Sequence, residues 1–160
     1  MDVHTCYYWI VRRAELEKHA LPRLPCACAN LRRAARAATH LYDRELRTAG
    51  LNTAQFTLLQ TLGIVGPVTQ GRLGRLLALD STTLSRTLRP LRARRWIRSD
   101  AGKDRRERRV ALTDEGRSQF ERARPAWEKA QRRLEGWLGR RRWTALLAEL
   151  SILAGVAGEI

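Results

Sequence analysis

The spacing of apolar side chains changes twice between residues 81 and 137, and this double switch restricts the fold more than any other feature. Leu84, Leu88 and Leu91 stand at i, i+4 and i+7, the spacing of one buried helix face. From Trp96 the period shortens. Trp96-Ile97-Arg98-Ser99 and Arg108-Arg109-Val110-Ala111-Leu112 read as two short strands around a polar loop containing Gly102, the pattern of a hairpin. Beyond Thr113, which reads as a helix cap, Phe120, Ala123, Trp127, Ala130, Leu134 and Trp137 fall three and four apart. That is a seam along which one helix packs against another. The expected fold class is mainly α with one small β-hairpin.

Upstream of the switch every segment reads as helix. Pro22 and Pro25 break any helix before residue 26, so residues 1–28 form an N-terminal arm that includes Tyr7, Tyr8, Trp9 and Ile10. Leu31, Ala34, Ala35, Ala38, Leu41, Tyr42 and Leu46 give a helical stripe within residues 29–50, which Gly50 closes. Asn52 and Gln55 have the spacing of a capping box, opening a helix that turns Phe56, Leu59 and Leu62 inward. A short helix follows from Thr69 to Leu77, carrying Leu73, Leu76 and Leu77. A tight turn leads to Asp80, the expected cap of a helix from Ser81 to about Arg94. Two short helices, a tight turn and then a hairpin make a winged helix-turn-helix, placed at residues 51–113. Residues 114–160 supply C-terminal helices, with Trp143, Leu146, Leu147, Leu150 and Leu153 as the last apolar stripe. Together with residues 29–50 they expose more apolar surface than the middle segment can cover, and are expected to dimerise. Pro90 and Pro125 should bend their helices.

The arginines decide what such a scaffold would bind. The chain carries 31 basic and 16 acidic side chains, for a net charge of +15, and lysine occurs only at Lys18, Lys103 and Lys129. Codon bias would spread arginine evenly. Instead residues 86–109 hold eleven basic and three acidic side chains, an excess that is over half of the +15. A cluster of this kind points to a phosphate-rich partner, double-stranded DNA. On the second helix Thr82, Ser85, Arg86 and Arg89 share a face of hydroxyls and guanidiniums that suits base edges and phosphates in a major groove. Thr69, Gln70, Ser81, Thr83, Lys103, Asp104, Arg105, Arg106 and Arg108 complete the expected DNA-binding set. A protein-interaction adaptor or a non-specific DNA-packaging protein are the alternatives on the same scaffold. An adaptor has no need of arginines gathered on the wing.

Other classes find little support. His4, His19 and His40 have no metal-ligand spacing, and no Gly-rich phosphate loop or nucleophile motif occurs, so the chain is expected not to be an enzyme and to require no cofactor. No apolar run approaches the roughly 20 residues of a membrane span. Residues 1–10 lack the hydrophobic segment and cleavage site of a signal peptide. With three cysteines, an odd number, no secreted disulfide framework is expected, and a cytoplasmic location fits. Cys26 and Cys28, with Cys6 in the arm, would chelate a soft metal or metalloid ion as thiolates, or react with oxidants beside Arg23, Arg32 and Arg33. The bland reading is three incidental small residues.

Residues 51–116 also resemble the MarR family. The likeness rests on Leu51-Asn-Thr-Ala-Gln55, on Leu79-Asp-Ser-Thr-Thr-Leu-Ser-Arg86, and above all on the wing, Asp104-Arg-Arg-Glu-Arg-Arg-Val-Ala-Leu-Thr-Asp-Glu-Gly116. The helix arrangement extends it over roughly residues 28 to 157. The resemblance implies a two-fold homodimer, a wing Arg106 that enters the minor groove with Asp104 orienting it, and a repressor released by an inducer, here unknown. It also implies a pocket between the dimer helices and the DNA-binding lobe, for which His40, Tyr42, Phe56 and Trp127 are lining candidates. One departure is plain. Family members often carry glycine between the recognition helix and the wing, where this chain has Arg94-Arg95-Trp96. A left-handed Arg95 would carry strain of about 1 kcal/mol.

Overall fold

The computed structural model describes residues 18, 20–101 and 108–157. The elements run α1 (Ala27–Leu46), a 3₁₀ turn (Arg47–Ala49), α2 (Thr53–Val65), β1 (Val68–Thr69), α3 (Gln70–Leu76), α4 (Ser81–Ala93), β2 (Ile97–Ala101), β3 (Arg108–Leu112), α5 (Asp114–Leu138) and α6 (Arg140–Ala157).

Polar side chains set most of these boundaries. Asn52 accepts from the backbone N–H of Gln55 at 2.9 Å while the Gln55 side chain accepts from the N–H of Asn52 at 3.2 Å, completing the expected capping box. Asp80 and Thr113 cap α4 and α5 as the sequence suggests. The first helix starts earlier than expected, at Ala27, so Cys28 lies in its first turn rather than before it. Asn30 explains the shift. Its side chain donates to the carbonyls of Leu24 and Cys26 and accepts from the N–H of Leu24, satisfying groups the prolines leave open. Neither internal proline ends its helix: α4 continues to Ala93 past Pro90, and α5 to Leu138 past Pro125.

The sheet has one strand more than the sequence suggests. β3 lies between β1 and β2, both antiparallel to it, with Val68 opposite Val110 and Ile97 opposite Leu112. Two residues are too few to show alternation, so β1 leaves no periodic signal. Thr69 pairs with Arg109 there and also caps α3. Leu76 is half exposed, because the seven-residue α3 turns only Leu73 fully into the core.

One core unites these elements. Leu46, Leu51, Phe56, Leu59, Leu62, Leu73, Leu84, Leu88, Leu91, Ile97, Val110 and Ala123 pack as one buried cluster. α5 closes it from behind, lying against α1, α2 and the 3₁₀ turn. The amide of the buried Gln119 donates to the Ala49 carbonyl at 2.6 Å, and Tyr42 donates to Gln131. Arg94 anchors the end of α4: it donates to the Gly50 carbonyl at 2.8 Å and lies 4.8 Å over the Trp96 ring. Arg95 has φ 57°, the left-handed conformation expected where glycine is missing.

Candidate nucleic-acid interface

α4 stands on its leucines. With Leu84, Leu88 and Leu91 buried, Ser81, Thr82, Ser85, Arg86 and Arg89 are left exposed together. These five are the part of the expected DNA-binding set that the structure gathers on one element. Thr83 differs. It is partly buried, and its hydroxyl donates to Asp80 Oδ2 at 2.6 Å while its N–H donates to Oδ1 at 2.8 Å. Those bonds hold the Asp80 carboxyl below its usual range, the Thr83 hydroxyl first among the causes. Thr69 is likewise engaged, its hydroxyl accepting from the N–H of Arg72 at 3.3 Å. Thr69 therefore acts first as a cap, with Gln70 beside it at the start of α3, and Thr83 acts first as a donor to the Asp80 cap.

The hairpin places Arg108 at the base of the wing, opposite Ala101. Lys103, Asp104, Arg105 and Arg106 lie outside the described residues. Arg92, not anticipated from the sequence, joins helix to hairpin. Its Nε donates to Ser99 Oγ at 2.8 Å, its Nη2 is buried without a hydrogen-bond partner, and desolvation together with the Arg108 charge pushes its pKa down. The spacing that would have found it is Ser85, Arg89, Arg92 at i, i+4 and i+7. Arg109 turns the other way and donates to the Pro67 carbonyl at 3.1 Å, fastening β3 to the end of α2.

A second feature lies between α1, α5 and α6. An open apolar groove of about 1020 Å³ is lined by Leu31, Ala38, Leu41, Leu134, Trp143 and Leu150 among others, with His40 and Tyr42 on its wall. Burial pushes the Tyr42 phenol up. Phe56 and Trp127 do not line it. Phe56 is 1% exposed and packs 5.7 Å from the Trp127 ring and 5.3 Å from Phe120. α5 lies directly over that part of α2, so the two aromatics belong to the core and not to a cavity wall.

Cys26 and Cys28 are free and exposed, and Cys6 lies outside the described residues. Among the described residues no group of three or more His, Cys, Asp or Glu side chains is placed to hold a metal ion. No described helix is long and apolar enough to cross a membrane.

A helix-turn-helix with its second helix exposed, backed by a three-stranded wing and flanked by long helices, defines a winged helix-turn-helix protein. The comparisons agree. The family model described as MarR family matches residues 49–107. The HTH-type transcriptional regulator YwoH of Bacillus subtilis (strain 168) is 32% identical over 79 residues, 49% of this chain and 58% of that protein, so the chain matches less than two thirds of this relative's length. The M. tuberculosis transcriptional regulator MosR, solved in complex with DNA, superposes with a TM-score of 0.75 at 33% identity, covering 82% of this chain and 96% of that one. BpsR of Bordetella bronchiseptica, whose DNA binding is regulated by 6-hydroxynicotinic acid, gives a TM-score of 0.71 at 25% identity over 79% and 96% of the two chains. The chain belongs to the MarR family, whose members are transcription regulators and not enzymes.

Proposed function

We propose that the chain is a cytoplasmic homodimer that binds a pseudopalindromic operator in double-stranded DNA, acts as a repressor, and is released by a small-molecule, oxidant or soft-metal signal. The observation that carries this reading is the outer face of α4. Ser81, Thr82, Ser85, Arg86 and Arg89 stand exposed on a fully buried leucine face, beside a basic hairpin. Arginine pairs bidentately with guanine, and the short hydroxyls reach bases or phosphates. The family resemblance assigns Arg106, which lies between β2 and β3 in the sequence, to the minor groove, where the negative potential of a narrow groove draws an arginine. The likeness to MosR, which was solved with DNA, supports the partner.

The groove between α1, α5 and α6 and the exposed stripe on α6 support the dimer. A two-fold pair of α4 helices fits half-sites ~10 bp apart. Two places suit the signal. The groove, with His40 and Tyr42 on its wall, suits a small aromatic molecule, a chemistry that the regulation of BpsR by 6-hydroxynicotinic acid supports. Cys26 and Cys28, exposed at the start of α1, suit an oxidant or a soft ion, with Cys6 as a further thiol.

The test is a gel shift on the chain's own promoter region against random DNA across salt. A regulator prefers its operator by roughly 10³-fold or more. Arg86→Ala and Arg106→Ala are each expected to cost on the order of 1–3 kcal/mol of operator binding. Equal affinity of both variants with the wild type would place the reading surface elsewhere. Adding oxidant, soft metal ions or small aromatic acids to the same assay identifies the class of signal.

A further inference from the structure

A second group of arginines stands at the end of the molecule remote from α4 and the wing. α1 runs antiparallel to α5: Ala49 meets Gln119, Glu45 meets Lys129 and Arg133, and Tyr42 meets Gln131. Continued back from Tyr42, the same pairing sets Arg36 and Arg32 of α1 alongside the last turns of α5 and the Gly139 turn that opens α6. Leu31, Leu138 and Trp143, one from each helix, accordingly line a common groove. Arg32, Arg36, Arg140, Arg141 and Arg142 are all exposed around this end. The first turn of α5 lies against the Trp96 backbone, and Gly116 and Leu138 are about 33 Å apart at the rise of an α-helix. A duplex held against α4 and the wing lies beyond the other end of that helix.

These arginines are unlike those in the middle of α5. There Arg124 bridges Glu121 and Glu128, Arg132 bridges Glu128, and Lys129 and Arg133 bridge Glu45. Arg33 is engaged too, donating to the Pro22 carbonyl at 2.8 Å and to Asn30 Oδ1 at 3.1 Å. Among the described residues no carboxylate pairs with Arg32, Arg36, Arg140, Arg141 or Arg142. Residues 27–42 hold no acidic side chain and residues 129–148 only Glu135, so the sequence supplies little to balance them. Arg140, Arg141 and Arg142 also open α6, at the end of a helix where the dipole disfavours cations. Inside the fold the cluster is destabilising, and a polyanion from outside offsets that cost. The apolar side chains nearby turn elsewhere, with Trp137, Leu138 and Trp143 on the wall of the groove. A protein interface is built around an apolar centre, and a membrane-bound helix inserts apolar side chains. The phosphate backbone of a duplex asks for neither.

We propose that Arg32, Arg36, Arg140, Arg141 and Arg142 bind a second segment of double-stranded DNA without regard to its sequence. A chain seated on one duplex through α4 then draws another onto its far end. The seating of the first duplex rests on the DNA-binding reading above, and the far-end surface does not.

The experiment fixes the chain's own promoter-region duplex to beads, binds the full chain to it, washes, and adds a labelled random-sequence duplex at moderate salt. The wild type is expected to retain the labelled duplex. The triple variant Arg140→Gln, Arg141→Gln, Arg142→Gln is expected to hold the promoter duplex as the wild type does and to retain on the order of tenfold less of the label. The salt dependence of the capture should become shallower by about three counterions. The urea midpoint of that variant should rise, because three cations leave the positive end of α6, so unfolding is not the source of the loss. Arg32→Gln with Arg36→Gln should also lower the capture. Promoter-bound wild type that retains no label overturns the far-end site and leaves the DNA-binding reading standing. Equal capture by the wild type and both variants overturns it as well. Release of the label by poly-L-glutamate as readily as by unlabelled duplex of equal charge marks a surface for acidic proteins and overturns the assignment to DNA. If the chain does not bind the promoter duplex, it is attached to the beads directly. Capture of random duplex that the triple variant then loses upholds the far-end site and overturns the reading of α4.

Discussion

Two residues at the joint between α4, the wing and α5 show how much a single position can hold. Arg95 has φ 57°, which glycine adopts freely and arginine only with strain. Arg95→Gly is expected to raise stability by about 1 kcal/mol, read as a higher urea midpoint with an unchanged slope. A lower midpoint would mean that the arginine side chain holds the joint. This strain was legible in the sequence, because a position that asks for glycine carried none. Gly116 was legible only as part of a motif, and the reason lies in the packing. Thr113 Oγ1 donates to the Arg95 carbonyl at 2.7 Å and accepts from the N–H of Gly116 at 3.0 Å, while the Thr113 N–H donates to the Trp96 carbonyl at 3.1 Å. These bonds draw the first turn of α5 onto the Trp96 backbone so closely that a Cβ at residue 116 would sit 1.8 Å from that carbonyl oxygen. Gly116→Ala is therefore expected to destabilise by about 3 kcal/mol or more, since backbone has to move. A near-native urea midpoint for that variant would contradict the close approach.

Elements were legible in proportion to their length and their caps. α2, α4 and α5 carried both apolar spacing and a capping side chain, whereas β1 carried neither. How the elements fasten to each other was harder to read. Glu45 looks like one more solvated charge on α1. In the fold its side chain is 11% exposed and bridges Lys129 at 2.9 Å and Arg133 at 2.9 Å, tying α1 to α5. The hydrogen bond from Lys129, ahead of that from Arg133, holds its carboxyl below the usual range. A carboxyl with a depressed folded-state pKa adds stability that is complete above its unfolded-state value and is lost as pH falls through the folded one. The urea midpoint of the wild type is thus expected to exceed that of Glu45→Gln near neutral pH. The gap should close on acidification below the ordinary carboxylate range, and added salt should narrow it. A gap that stays constant with pH would assign the effect to packing rather than charge.

Among the described residues, a long apolar stripe on α6 is left exposed. Leu146, Leu147, Leu150 and Leu153 of α6 are 39–45% exposed along the groove that α1 and α5 complete, and Ile152 and Val156 are more exposed still. A helix apolar on more than one face is ordinarily covered on more than one face, and monomers rarely leave an open patch of this extent. The stripe itself was legible in the spacing of residues 143–153, but a surface completed by a second copy has no signature in one chain beyond the apolar face it leaves over. If two copies close it, the pair of α4 helices is held at a set separation, and the second half-site binds at the high effective concentration created by the first. Leu146→Glu with Leu150→Glu puts two carboxylates into the closed face and should give a monomer in sedimentation velocity at concentrations where the wild type is a dimer. α4 and the wing are untouched by these changes. The monomer should therefore keep salt-dependent binding to random DNA while losing operator affinity by on the order of 10²-fold or more. A wild type that sediments as a monomer, or a monomeric variant with full operator affinity, would detach recognition from assembly and leave the apolar groove to another partner.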